Sequence, residues 1–315
     1  MTTGKLDQFM QNACDIVAQS AHVSIDNEKL SALAETFKGA SKPPAWNNYI
    51  SDAAKADPFD ATRVLFEMAL NCAQQGGFIT PDENGVPQKW NIGGSGAQAM
   101  VAKLAELRAA KVIPGIDILD PADVEAKVAP HLKDTPFAAE RIAMFREFAE
   151  PAVYGKLDTL VKAAWQPAEN RYNFDFKFIN DMAALFPVSF ESDPFRKKVI
   201  LSVLMAAAHA ENRGVTIVTD TPPASDYVLP QVLEGLGVMK ISDELREKLV
   251  KREGFAENDP VVADVRAATI VIAAELSKQS GARVQDIDSK LWLAGRDPAV
   301  KPKLLPAINV YTTWF

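Results

Sequence analysis

Cysteine and histidine are scarce in this chain of 315 residues. The two cysteines, Cys14 and Cys72, fit neither a zinc spacing nor a disulfide framework, and their setting is that of a reducing cytoplasm. The three histidines, His22, His131 and His209, stand far apart, which argues against a histidine-rich metal site. Positive charge is in deficit: 34 Lys and Arg against 41 Asp and Glu give a net charge of −7. That balance argues against broad binding to nucleic acid polymers or to an anionic membrane, while leaving room for a local basic pocket. Long hydrophobic runs are missing too, since the apolar stretch at 199–210 is interrupted by Ser202 and His209 and falls short of a membrane span. The first residues, MTTGKLDQFMQNACDIV, are amphipathic and lack the apolar core of a signal peptide. There is no GxxxxGK[ST], no GxSxG and no HExxH, so three common routes to phosphate binding, acyl transfer and zinc hydrolysis are closed. Internal repeats, low-complexity tracts and glycine-serine linkers are also absent.

What remains is an ordinary globular composition, 48% hydrophobic and 24% charged, written mostly in helical periodicity. Leu6, Phe9, Met10, Ala13, Ile16 and Val17 fall at steps of three and four. SIDNEKLSALAETF reads as a second helix with Asp26 as N-cap, Lys29 in place of a capping-box glutamate, and Gly39 at its end. Helices follow at 59–73, 96–110, 122–129 and 137–164, the last with a break near Pro151 and Gly155. LPQVLEGLG, ISDELREKLV and DPVVADVRAATIVIAAELSKQ complete the set. Strand signals are few: a hairpin at 78–92 around Asn84-Gly85, and an extended GVTIVT at 214–219. The expectation is one mostly α-helical domain spanning 1–315.

Few residues stand out as carriers of chemistry. Ile92-Gly93-Gly94-Ser95-Gly96 precedes a helix and reads either as a flexible turn or as a set of backbone amides for a phosphate. Asp226, at the mouth of the apolar segment VLPQVLEGLG, is either a helix cap or a carboxylate facing a pocket. Asp288 carries the same ambiguity: the cap of a short helix containing Leu291 and Trp292, or a second carboxylate. Trp46, Tyr49, Trp90 and Trp292 serve as core aromatics or as walls for a flat heterocycle.

The order of the segments resembles the queuosine salvage proteins, the queuosine 5′-phosphate N-glycosylases. IVAQSAHVSIDNEKLSALAE, VLFEMALNCAQQGGF with Asn71, SDYVLPQVLEGLGVMKISDELREKL, ADVRAATIVIAAEL, IDSKLW and LPAINVYTTWF are each similar to a segment of that family, in the same order. The resemblance implies a helical fold related to helix-hairpin-helix DNA glycosylases. It implies hydrolysis of the bond between a deazaguanine base, queuine, and ribose 5′-phosphate, with a small nucleoside or nucleotide as partner and no metal or organic cofactor. It puts Asp226 on the family's catalytic aspartate and Asp288 on a base-contacting aspartate. Tyr227, Pro230 and Gln231 match the rest of the first motif, and Asn71, Tyr227 and Trp292 join Asp288 as substrate-binding candidates.

The departures from the family pattern are specific. Apolar residues at 203–206 stand where the family has a cationic helix, Val228 replaces an arginine, and Ala224 a phenylalanine. Leu293 replaces an aspartate, and Ile308, Asn309 and Tyr311 replace a basic cluster. A 5′-phosphate wants a cation, for which Lys197, Lys198 or Arg213 are the substitutes on offer. The expected function is an N-glycoside hydrolase with an altered substrate. A ligand-binding protein that keeps the fold without catalysis is the alternative, and DNA repair, suggested by fold analogy, is opposed by the acidic composition.

Overall fold

The computed structural model describes residues 3–39, 44–90, 95–110, 112 and 121–314. Helices dominate it, with only short strands between them. The chain groups into two compact units: Met1–Pro43, Pro81–Gln88 and Thr221–Thr312 form the first, and Pro44–Thr80, Lys89–Asp220 and Thr313–Phe315 the second.

The first unit is built around helix Pro260–Ser280. Asp259 caps it by accepting from Val261 N, and Gly281, at φ 72°, closes it. Its apolar residues are not confined to one stripe, so it belongs inside a helical layer rather than on a surface. Helices Thr3–Gln19, Asn27–Glu35, Val228–Gly235 and Val284–Ala294 pack around it and bury Val262, Ala267, Ile270, Ile272 and Leu276. Two small sheets border the unit. Val23–Ile25 pairs antiparallel with Met239–Ile241, and Gly254–Ala256 pairs parallel with Asn309–Tyr311.

In the second unit the central pair is Ala61–Ala73 with Lys197–Asn212, both buried over nearly their whole length. Helices Ala138–Ala149, Pro151–Ala163 and Phe176–Leu185 surround the pair. Strand Arg171–Asp175 lies antiparallel to Trp165–Gln166 and parallel to Thr216–Asp220. Of the two polar residues that interrupt the 199–210 run, Ser202 is satisfied in the interior, whereas His209 Nε2 is buried with no partner among the described residues. Ser202 Oγ donates to the Lys198 carbonyl, and His209 Nδ1 lies 3.2 Å from the Ala45 carbonyl oxygen and 3.1 Å from Asn47 Oδ1. Burial holds the His209 imidazole below its ordinary pKa. Among the described residues, no helix is long and apolar enough to cross a membrane.

Most helices lie where periodicity puts them, and the differences have local causes. Asp26 caps its helix through Lys29 N and the helix starts at Asn27 as expected, while Ser24 and Ile25 before it pair with Lys240 and Met239 in a strand. The break at Pro151 is real, with Pro151 as the first residue of the next helix. Gly155, by contrast, lies inside that helix. The 122–129 segment ends as a helix at Lys127, and a separate turn, Ala129–Leu132, follows. The hairpin turn closes through Gly85 N to the Asp82 carbonyl, with Gly85 at φ 78°. Ser95 is the N-cap of helix Gly96–Ala109, completing a capping box with Gln98, while the glycine-rich residues 91–94 lie outside the described residues. Trp46, Tyr49, Trp90 and Trp292 are half-buried rather than core. The interior aromatics are phenylalanines such as Phe37, Phe66, Phe174 and Phe186.

Candidate active site around Asp226

Residues 221–226 run extended and fully buried into helix Val228–Gly235. Pro222 and Pro223 bring no N–H donors, so this stretch is poorly suited to a sheet ladder and its remaining polar groups need other partners. Side chains from two neighbouring helices supply them. Ala224 N donates to Asp288 Oδ2 at 2.8 Å. Arg266 Nε donates to the Ser225 carbonyl at 3.2 Å, and Ser225 Oγ donates back to the Arg266 carbonyl at 3.1 Å. Ser225 N turns onto the Pro223 carbonyl.

Asp226 follows directly and is 8% exposed. Its Oδ1 accepts from Val228 N at 2.7 Å and from Leu229 N at 3.1 Å. These are donors that a helix start leaves orphaned, so Asp226 does cap the helix, and the helix dipole favours its charge there. Its Oδ2 accepts no hydrogen bond from a described residue. The cap reading therefore holds for one oxygen, Oδ1, and the other is not part of the cap. At the far end of the helix, Gly237 at φ 72° donates to the Glu234 carbonyl and ends it.

Asp288 is not the cap of a short helix. The helix runs Val284–Ala294, with Arg283 at its N-cap, and Asp288 lies a turn inside, 7% exposed and bonded to Ala224 N. The cap reading fails because the helix begins at Val284, five residues before the start that a cap at Asp288 would give. The structure thus brings Asp288 to the segment that carries Asp226. Trp292 follows Asp288 by four residues and shares its helix face, with the Arg296 guanidinium 4.3 Å from its ring centroid. Replacing Asp288 by alanine strands the Ala224 N–H inside the protein, and a loss of about 1–3 kcal/mol follows. Asparagine, which keeps an acceptor, should recover most of it. Urea unfolding of the two variants beside wild type measures the difference, and equal midpoints for alanine and wild type would refute it.

Tyr227 and, on the Val228–Gly235 helix, Pro230, Gln231 and Glu234 line a small apolar groove with Leu305 and Ile308. Gln231 Nε2 is committed to the Leu305 carbonyl and Glu234 to Arg246. Neither Asp226 nor Asp288 lines this groove. Val228, where the family pattern has an arginine, packs at Gly295: a Cβ on that glycine would stand 2.6 Å from Val228 Cγ1. The position is taken up by helix packing.

The remaining candidates belong to the second unit. Asn71 Nδ2 donates to the Tyr49 carbonyl at 2.6 Å, while its Oδ1 is buried with no partner among the described residues. Lys198 Nζ donates to the Ala73 carbonyl at 2.6 Å, and burial drives its pKa far below the ordinary lysine value. Arg213 is held by the Asp57 carboxylate and the Lys55 carbonyl. Lys198 and Arg213 are therefore engaged with the protein itself. Lys197 is buried as well. The buried cation bonded next to Asp226 is Arg266, which the sequence reading passes over. Its signal was a lone arginine inside the apolar run VRAATIVIAA, at a position 2% exposed in the structure.

A family model described as queuosine salvage protein matches residues 212–315, the stretch that contains Asp226, Arg266, Asp288 and Trp292. The chain is also similar to the queuosine 5′-phosphate N-glycosylase/hydrolase of Sphaerobacter thermophilus. The two are 24% identical over 304 residues, covering 89% of this chain and 90% of that protein. The C-terminal third of the chain is thus similar to the queuosine salvage proteins, and nearly the whole chain to one relative of that name.

Proposed function

We propose that this protein is an N-glycoside hydrolase that releases a nucleobase, queuine or a related modified base, from a nucleoside or its 5′-phosphate, with Asp226 as the working carboxylate. The observation that carries the reading is the division of Asp226: Oδ1 is anchored by two helix-start amides, and Oδ2 is unbonded to any described residue. The similarity to a queuosine 5′-phosphate N-glycosylase/hydrolase supports it.

The chemistry follows from charge. Breaking the bond between the anomeric carbon and the base nitrogen leaves positive charge on the sugar, and the bonding pair departs with the base. A carboxylate oxygen next to that carbon stabilises the charge or attacks it, and water then supplies the oxygen that ends on the sugar. Because Oδ1 is already fixed, Oδ2 is presented without having to order a mobile side chain. The departing base takes up a proton and needs hydrogen bonds as it leaves. Asp288, Tyr227 and Trp292 are the candidates to bind it, with Asp288 offering acceptors and Trp292, one turn along the same helix, offering a flat aromatic surface. Ala224 and Val228 flank Asp226 with apolar groups, and a substrate that differs from the family's own in its polar substituents fits that change. We also propose that residues 1–315 fold as one domain, since the chain passes between its two units at 43–44, 80–81, 88–89, 220–221 and 312–313.

Incubation of the purified protein with queuosine, queuosine 5′-phosphate and a panel of unmodified nucleosides, followed by mass spectrometry of free bases, tests the reading. Base release from at least one modified substrate is expected. Binding of a base without release from any panel member would instead identify a ligand-binding protein.

A further inference from the structure

We infer that Arg266 and Ser225 form a reciprocal clamp that positions Asp226, with Arg266 a positioning residue for base release. The inference rests on the reading of Asp226 as the working carboxylate. Ser225 is 0% exposed and Arg266 2% exposed, and each bonds the other's backbone: guanidinium Nε to the Ser225 carbonyl, hydroxyl Oγ to the Arg266 carbonyl. The clamp ties the residue immediately before Asp226 to the second turn of helix Pro260–Ser280, around which the first unit is built. One residue earlier, Asp288 holds Ala224 N. Three consecutive residues, Ala224, Ser225 and Asp226, are thus each fixed by a named hydrogen bond in a segment with no strand ladder of its own.

A buried guanidinium is an expensive way to fill a helix core, since an apolar side chain of similar volume often serves stability as well or better. What arginine adds is a directed donor aimed at one carbonyl, and the carbonyl it meets sits one peptide from the Asp226 Cα. A carboxylate misplaced by about 1 Å loses on the order of a hundredfold in rate, so rigid support of this peptide has a function that packing alone does not have.

The test compares wild type with Ser225→Ala, Arg266→Met and the double variant. Turnover is followed on queuosine and queuosine 5′-phosphate, and amide hydrogen exchange at Val228 and Leu229 reports on the Asp226 cap directly. The expected result is a kcat lower by about 10- to 100-fold in either single variant with KM within about threefold. Exchange at the two amides should speed by about tenfold, as the cap opens locally. The double variant should be slower than either single one, because each substitution removes one of the two bonds and leaves the other. Unchanged kcat, or unchanged exchange at Val228 and Leu229, would each overturn the inference. If Arg266→Met does not fold, Ser225→Ala decides the question alone. A wild type inert on both substrates sinks the catalytic reading of Asp226 instead, and the exchange data then still decide whether the clamp holds the carboxylate.

Discussion

Asp226→Asn is expected to lower kcat by about a thousandfold while the protein stays folded and as stable as wild type to within about 1 kcal/mol. The two effects separate because the two oxygens have separate partners. An asparagine amide oxygen can still accept from Val228 N and Leu229 N, and asparagine is among the best N-cap residues. The helix start is therefore kept. What disappears is the negative charge and the nucleophilic oxygen at the Oδ2 position, the features that a developing positive charge on a sugar requires. Asp226→Ala provides the contrast: it removes the same chemistry and also the cap, with an additional loss of about 0.5–2 kcal/mol in stability. Steady-state base release and chemical unfolding on the same three proteins give both answers. Full activity in the asparagine variant would show that the free oxygen is not used in the reaction. Activity lost in alanine but kept in asparagine would mean that Asp226 only holds the helix.

The second large effect concerns the second unit and stability. Arg141 is 1% exposed, and its guanidinium donates to the carbonyls of Pro136, Gln74, Gly76 and Gly77 at 2.6–3.1 Å. Three of those carbonyls belong to the turn that follows helix Ala61–Ala73, where helical bonding has run out. The guanidinium also lies 5.4 Å from the Phe78 ring centroid. Burial lowers its pKa to about 10, which leaves it charged at neutral pH. Arg141→Met keeps most of the packing volume but leaves four buried carbonyls without this donor. Each stranded group costs about 1–3 kcal/mol when water cannot replace the partner, and partial relaxation brings the sum to about 3–5 kcal/mol. For a protein of ordinary stability, about 5–15 kcal/mol, that is a large share. A drop in the urea midpoint, with far-UV circular dichroism unchanged before the transition, is the expected observation. A shift below about 1 kcal/mol would show that water enters the turn and replaces the guanidinium.

Helix positions were largely legible from the sequence because a helix is a local object. Its apolar period, its cap and its terminating glycine all lie within a few residues, as in Asp26 with Lys29 N or Gly237 after Gly235. Strand Arg171–Asp175 was not legible. It shows no alternation of buried and exposed residues, and what makes it a strand is pairing with Thr216–Asp220, more than 40 residues away. Asp288 was misread in part for the same reason. LW looked like the start of something, whereas the helix began at Val284, and the carboxylate's partner, Ala224, lies 64 positions away.

By itself the sequence determined the mostly helical class, the position of Asp226 before an apolar helix, and the family resemblance that singled out Asp226 and Asp288. Each of these depends on short-range spacing or on the order of segments along the chain. Only the tertiary structure decided that one oxygen of Asp226 is bound by the helix start while the other has no partner among the described residues, that Asp288 holds the backbone two residues before it, and that Arg266 reaches Ser225. The Asp288 and Arg266 contacts join distant parts of the chain, and hydrogen-bond partners chosen by three-dimensional packing leave no periodic trace in the order of residues.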